Sequence, residues 1–148
     1  MEENAEIDTT VMEENAEIDT TVIEEIKSDR KAADIRERAF AFAVRIIKLC
    51  KFLEKNSGVS KNVVNQLLDA GTSIGANLEE AQAGQSQADF IHKNSISLKE
   101  ARESNYWLKL ILATESFDGG VKKGIEDLIS ESLELTKIIA KIIVSTKK

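Results

Sequence analysis

Residues 70–81, Ala-Gly-Thr-Ser-Ile-Gly-Ala-Asn-Leu-Glu-Glu-Ala, constrain the fold more than any other stretch of this chain. Gly71, Ile74, Leu78 and Ala81 continue a stripe begun by Val64 and Leu67, and the alternating steps of three and four hold that stripe on one face of an α-helix. Gly71 and Gly75 fall inside this helix, where each glycine costs about 0.5–1 kcal/mol relative to Ala. The compensating gain is a second helix whose backbone comes close, so the segment reads as a packing face. Beside the stripe lie Ser73, Asn77 and Glu80, and a later run sets Ser97, Glu100, Ser104 and Trp107 on one helical face. These two partly polar faces are expected to meet in an interhelical network of Ser73, Asn77, Glu80, Glu100 and Ser104. Asn105 and Arg102 are at hand to satisfy the carboxylates, and the network would fix helix register.

The rest of the chain supports an all-α reading. It has 148 residues, 42% of them hydrophobic and 31% charged, and no proline, so the commonest helix breaker is missing and one helical domain can bury its own core. Four helices are expected. The first covers residues 31–55, with Ile35, Ala39, Phe42, Ile46, Leu49 and Leu53 inward and a second stripe of Phe40, Val44, Ile47 and Lys51, and it stops at Asn56-Ser57-Gly58. The second begins after Ser60 as N-cap and ends near Gly84. The third starts at Ser86, where Asp89 three residues on resembles a capping box, and runs to about Glu115. The fourth follows the turn at residues 116–120 and is apolar at Ile125, Leu128, Leu135, Ile138, Ile139, Ile142 and Ile143. Short turns make sequence neighbours antiparallel, which gives an up-down-up-down four-helix bundle.

Three stretches carry a recognisable order of motifs: residues 71–81 (Gly-Thr-Ser-Ile-Gly-Ala-Asn-Leu-Glu-Glu-Ala), 86–90 (Ser-Gln-Ala-Asp-Phe) and 98–108 (Leu-Lys-Glu-Ala-Arg-Glu-Ser-Asn-Tyr-Trp-Leu). With Asp34-Ile35-Arg36-Glu37-Arg38-Ala39-Phe40 and Phe42 to Leu49 in the first helix, the chain resembles the four-helix bundle family of 23S ribosomal RNA intervening-sequence proteins from about Arg30 onward. The resemblance implies a small bacterial bundle that assembles into a ring of five subunits. Some members are encoded within insertions in ribosomal RNA genes, and distant relatives serve as accessory proteins of diversity-generating retroelements. It implies no catalytic activity, and function only by association. Wide apolar faces on the first and last helices independently lead to the expectation of a closed homo-oligomer.

An eleven-residue segment, Met-Glu-Glu-Asn-Ala-Glu-Ile-Asp-Thr-Thr-Val, occurs twice in tandem over residues 1–22. Identity this complete points to a recent duplication or to an alternative start at Met12. Residues 1–29 hold eleven acids against one base and are expected to form a mobile acidic tail, leaving residues 30–148 as the bundle domain. A helical reading competes, since eleven residues are close to three turns and would align Ile7, Val11, Ile18 and Val22. The net charge of −6 thus divides into −10 for the tail and +4 for the remainder. Arg38, Arg45, Lys48 and Lys55 recur along one side of the first helix, a row that is either an ordinary solvated face or a set of phosphate contacts for RNA.

Catalytic constellations are nearly missing from the sequence. Asp89-x-x-His92 has the carboxylate-to-histidine spacing of di-iron bundles but occurs once, and His92 is the only histidine, so neither a metal nor another cofactor is expected. Glu79, Glu80, Glu100 and Glu103 lack the histidine, nucleophile or phosphate loop that acid–base work would need. Cys50, the single cysteine, sits in an apolar run and reads as a buried structural thiol. Trp107 reads as core or interface. The apolar runs are too short and too charged to span a bilayer, and the acidic N-terminus is unlike a signal peptide, so a cytoplasmic, non-enzymatic protein is expected, partnered by itself and by RNA or an RNA-bound protein.

Overall fold

The computed structural model describes the backbone of residues 20–148 and the side chains of residues 34–148. Four helices follow in order: α1 (Thr20–Asn56), α2 (Lys61–Gln82), α3 (Gln87–Thr114) and α4 (Gly119–Thr146), with no strand among the described residues. The chain divides into two units, Met1–Asp34 and Ile35–Lys148, and the bundle is the second. Helical backbone begins at Thr20, ahead of the expected residue 31. Once a helix is nucleated, each added residue gains one hydrogen bond, which offsets the poor propensity of Thr20-Thr21-Val22. Of the tail expected to be mobile over residues 1–29, residues 20–29 have helical backbone, and the first nineteen lie outside the described residues.

Side-chain contacts give the directions of the helices. Gly75 lies against Ala39 and Gly71 against Ile46, and Cys50 Sγ donates to the Val64 carbonyl at 3.7 Å, so α2 descends as α1 ascends. Lys93 pairs with Glu80, and Ser97 Oγ donates to the Ile74 carbonyl at 2.8 Å, which sets α3 against α2 in the same reversed sense. Gln87 Nε2 donates to the Thr146 carbonyl and Asn105 Nδ2 to Ser132 Oγ, reversing α4 on α3. Arg38 to Glu131 closes the cycle between α1 and α4. The caps are local: Ser86 Oγ accepts from the Asp89 amide at 3.1 Å and Asp118 Oδ1 from the Val121 amide at 3.0 Å. Ser60 stands at the N-cap of α2 but makes no side-chain cap bond; the preceding turn is held instead by Ser57, which donates to the Leu53 carbonyl and accepts from the Val59 amide.

The core follows the expected stripes with three rotations. In α2, Val64, Leu67, Gly71, Ile74, Leu78 and Ala81 are buried as the sequence predicts, and Ala70 joins them. In α1, Cys50 takes the inner position expected for Leu49, which is half-buried. In α4, Ser132 joins Ile125, Leu128, Leu135, Ile139 and Ile143 in the core, while Ile138 and Ile142 stay half-buried. The inner face of α3 is Asn94, Ser97, Ala101, Ser104, Leu108 and Ile111, so Ala101 and Leu108 replace the expected Glu100 and Trp107. Small side chains let α3 approach α2 closely, and Glu100 or Trp107 could not occupy that space without pushing the helices apart.

The close approach of α1 and α2 is uneven. A Cβ added at Gly71 would stand 2.8 Å from both Cγ atoms of Ile46, which is itself fully buried, whereas a Cβ at Gly75 would meet Ala39 at an ordinary 3.6 Å. Gly71→Ala is therefore expected to destabilise by about 1–2 kcal/mol, because overpacking at Ile46 exceeds the gain in helix propensity. Gly75→Ala should instead stabilise by about 0.5–1 kcal/mol. Urea denaturation of the two variants checks the opposite signs.

Candidate nucleic-acid interface

Successive residues of a helix are about 100° apart, so the inward set Ile35, Ala39, Phe42, Ile46, Cys50 and Leu53 fixes what α1 turns outward. That outer arc carries Phe40, Val44, Ile47, Lys48, Lys51 and Lys55, with Arg45 at its margin. Phe40 is 71% exposed and Ile47 39%, and the three lysines are exposed while Val44 and Arg45 are half-buried. Among the described residues none of Arg45, Lys48, Lys51 and Lys55 enters an ion pair.

Arg38, the fourth member of the row expected from sequence, is placed differently. Its Nε donates to Glu131 Oε2 at 3.1 Å and its Nη2 to Glu131 Oε1 at 2.5 Å, with both side chains part-buried. Two parallel charge-assisted bonds of this kind hold a guanidinium in one orientation. Arg38 thus ties α1 to α4, and Arg45, Lys48 and Lys55 remain as the outward cations of the expected row. The correction was invisible in sequence because Glu131 lies 93 residues away.

The structure also distributes the expected polar network. Ser73 Oγ donates to the Asp69 carbonyl, Asn77 Nδ2 to the Ser73 carbonyl and Ser104 Oγ to the Glu100 carbonyl, each within its own helix. Glu80 reaches across to Lys93 at 2.6 Å on the exposed rim. Among the described residues no two of these five side chains bond to each other. Ser73, Asn77 and Ser104 compete successfully for backbone carbonyls one turn back, a habit of short polar side chains in helices. The links that do cross the interface are Ser97 to the Ile74 carbonyl and Asn105 to Ser132, whose hydroxyl in turn donates to the Ile129 carbonyl. Ser97 lay on the expected polar face. Ser132 had no signal beyond a polar residue at a core position of the α4 stripe.

Among the described residues no group of three or more His, Cys, Asp or Glu side chains is placed to hold a metal ion. His92 and Asp89 are exposed, the backbone of Asp89 serving the cap of α3. Cys50 is buried, and burial, aided by the nearby Glu54 carboxylate, pushes its thiol up to about 11, which keeps it protonated and unreactive at neutral pH. No described helix is long and apolar enough to cross a membrane.

On the α2–α3 side an open groove of about 440 Å³ is lined by Gln66, Leu98, Lys99, Arg102 and Tyr106 among others. Tyr106 is 58% exposed and stands edge-on to the half-buried Trp107, their ring centroids 5.1 Å apart. Lys99 pairs with Glu103 at 3.9 Å. Glu100 faces the α2–α3 seam, half-buried, and its carboxyl is raised above the usual range by burial first and then by Glu103 and Asp69, against the opposing pull of Lys99. A carboxylate whose folded-state pKa is raised favours folding while protonated, and loses that contribution as pH rises through the folded pKa. Glu100→Gln should therefore raise Tm at pH 7 by about 1–2 °C, the size that a few tenths of a kcal/mol gives in a domain this large. The gap should close below about pH 4, where the parent carboxyl is protonated in both states. Thermal melts of parent and variant across this pH range measure it.

Comparisons with known proteins converge on one family. The family model for the 23S rRNA-intervening sequence protein matches residues 31–141. The chain is also similar to the crystal structure of a protein with unknown function from the S23 ribosomal protein family of Bacteroides thetaiotaomicron. The two are 41% identical with a TM-score of 0.67, over 74% of this chain and 97% of that one. No curated protein matches the chain. The motif order in α2 and α3, the four-helix bundle and the family match agree: this chain belongs to the 23S rRNA-intervening sequence protein family.

Proposed function

We propose that the protein is a non-catalytic, bacterial, cytoplasmic accessory factor that self-associates and binds RNA through the outward face of α1. The observation that carries this reading is the group Arg45, Lys48 and Lys55 on α1, the two lysines exposed and Arg45 half-buried at the margin of the outer arc, without an ion pair among the described residues. Unpaired cations on one arc can neutralise phosphates, releasing counterions without first breaking a bond within the protein. Membership of a family named for ribosomal RNA supports the choice of RNA as the polyanion. Three or four contacts per subunit bind weakly, and repetition around an oligomer turns weak contacts into avid ones.

Self-association is supported by large apolar side chains left uncovered on both flanks of the bundle, Phe40 and Ile47 on α1 and Leu133 and Val144 on α4, the latter two 44% and 57% exposed. Burying such stripes against another copy removes surface that one four-helix core cannot cover. A ring of five follows from the resemblance of the sequence to the family. The same apolar exposure favours the second reading, in which the oligomer is an assembly module that binds protein and no nucleic acid.

Binding to a structured RNA, followed at increasing salt with and without residues 1–29, separates the two. The affinity of the parent should fall with a slope on the order of −3 per subunit in log K against log salt, and removal of the acidic tail should strengthen binding at low salt. Charge reversal at Arg45 and Lys48 should weaken binding to all RNA sequences alike, since phosphate contacts position a ligand without reading its bases. RNA binding unchanged by the reversal, or no RNA binding at moderate salt, would leave the assembly module. For self-association, light scattering at micromolar concentration should give a multiple of the 16.4 kDa subunit mass, and a monomeric mass would refute the oligomer.

A further inference from the structure

We infer that the phosphate-contacting row of α1 is Arg45, Lys48, Lys51 and Lys55, with Lys51 in the place the sequence gives to Arg38. This rests on the RNA reading above and assigns its residues. Lys48, Lys51 and Lys55 fall within about 60° of one another around the helix and span about 10 Å along it; Arg45 extends the row to about 15 Å. All three lysines are exposed. Lys51 enters no ion pair among the described residues, although Glu54 lies one turn further along.

Arg38 lies about 80° and Arg45 about 60° round the helix from Lys48, both toward the side where α4 packs, so what separates them is the pairing of Arg38. Its guanidinium already spends two donors on Glu131. Turning to a phosphate would break both bonds and leave the Glu131 carboxylate, 23% exposed, without its cation in the α1–α4 seam. An exposed lysine meets neither cost. Lys51 reads from sequence as the polar end of the Phe40, Val44, Ile47 stripe. In the bundle it stands instead at the junction of that stripe with the cations.

The test measures binding of the full chain to an RNA hairpin by fluorescence anisotropy over a salt series. Each phosphate contact contributes about 0.7–0.9 to the slope of log K against log salt. Lys51→Gln should reduce the slope by that amount and weaken binding at low salt. Arg38→Gln should leave the slope at the parent value while lowering Tm. A parent-like slope in Lys51→Gln, or an equal loss in Arg38→Gln, overturns the assignment while RNA binding itself stands. Failure of the parent to bind the hairpin removes the RNA reading and the assignment with it. Because Lys51 is exposed, its variant decides the matter even if Arg38→Gln does not fold.

Discussion

The seating of Ile46 against Gly71 governs the rest of the structure. A side chain at position 71 would collide with a fully buried isoleucine, so Ile46 can seat only against a residue without a Cβ, and Ala39 packs against Gly75 one turn further along. One tight point and one ordinary contact on this helix pair restrict both the register of α2 on α1 and the rotation of α1 about its own axis. With Ala39 and Ile46 turned inward, the residues on the opposite arc must face away from the core. The exposure of Phe40, Lys48, Lys51 and Lys55 is thus a geometric consequence of a glycine on another helix.

Among the described residues, the interior includes four polar side chains. Asn94, Ser97, Ser104 and Ser132 are buried at 2% exposure or less, and each donates to a backbone carbonyl. Their pairing keeps the cost of burial small, and leaving one such group unpaired costs about 1–3 kcal/mol. Ser97 and Asn105 do more than satisfy themselves, because their partners lie on neighbouring helices. A slip of one turn between α2 and α3 would strand the Ser97 hydroxyl away from the Ile74 carbonyl. Buried hydroxyls therefore restrict register at points where apolar contacts alone would tolerate sliding.

On the outer side of α1, apolar and cationic residues share one arc. Phe40 and Ile47 offer area to another surface, and the lysines beside them offer charge. Burying the apolar stripe against a second subunit would bring the cations to the edge of the joint between copies. Rows from successive subunits could then act together, which is the condition under which a few weak phosphate contacts hold a polyanion. The paired Arg38 and Glu131 stiffen the α1–α4 seam beneath this surface.

Much of this was legible in the residues. The α2 stripe from Val64 to Ala81 was readable but for Ala70, because apolar and small positions there are well separated from polar ones, and periodicity is a property of the local chain. The face of α3 was not. Ser97 and Ser104 fit equally well with Glu100 and Trp107 or with Ala101 and Leu108, two choices one residue apart, and the narrow space beside α2 selects the smaller set. Leu49 and Cys50 were exchanged in the same way. The cationic positions along α1 were visible in the sequence, while the pairing of Arg38 was not, since it depends on a carboxylate 93 residues away. Sequence by itself determined the four helices of the bundle, roughly where they end apart from the start of α1 at Thr20, and which family the chain resembles. The tertiary structure decided how far each helix is rotated, which polar groups meet and which cations stay outward, because those depend on the volume and charge of neighbours that are distant along the chain.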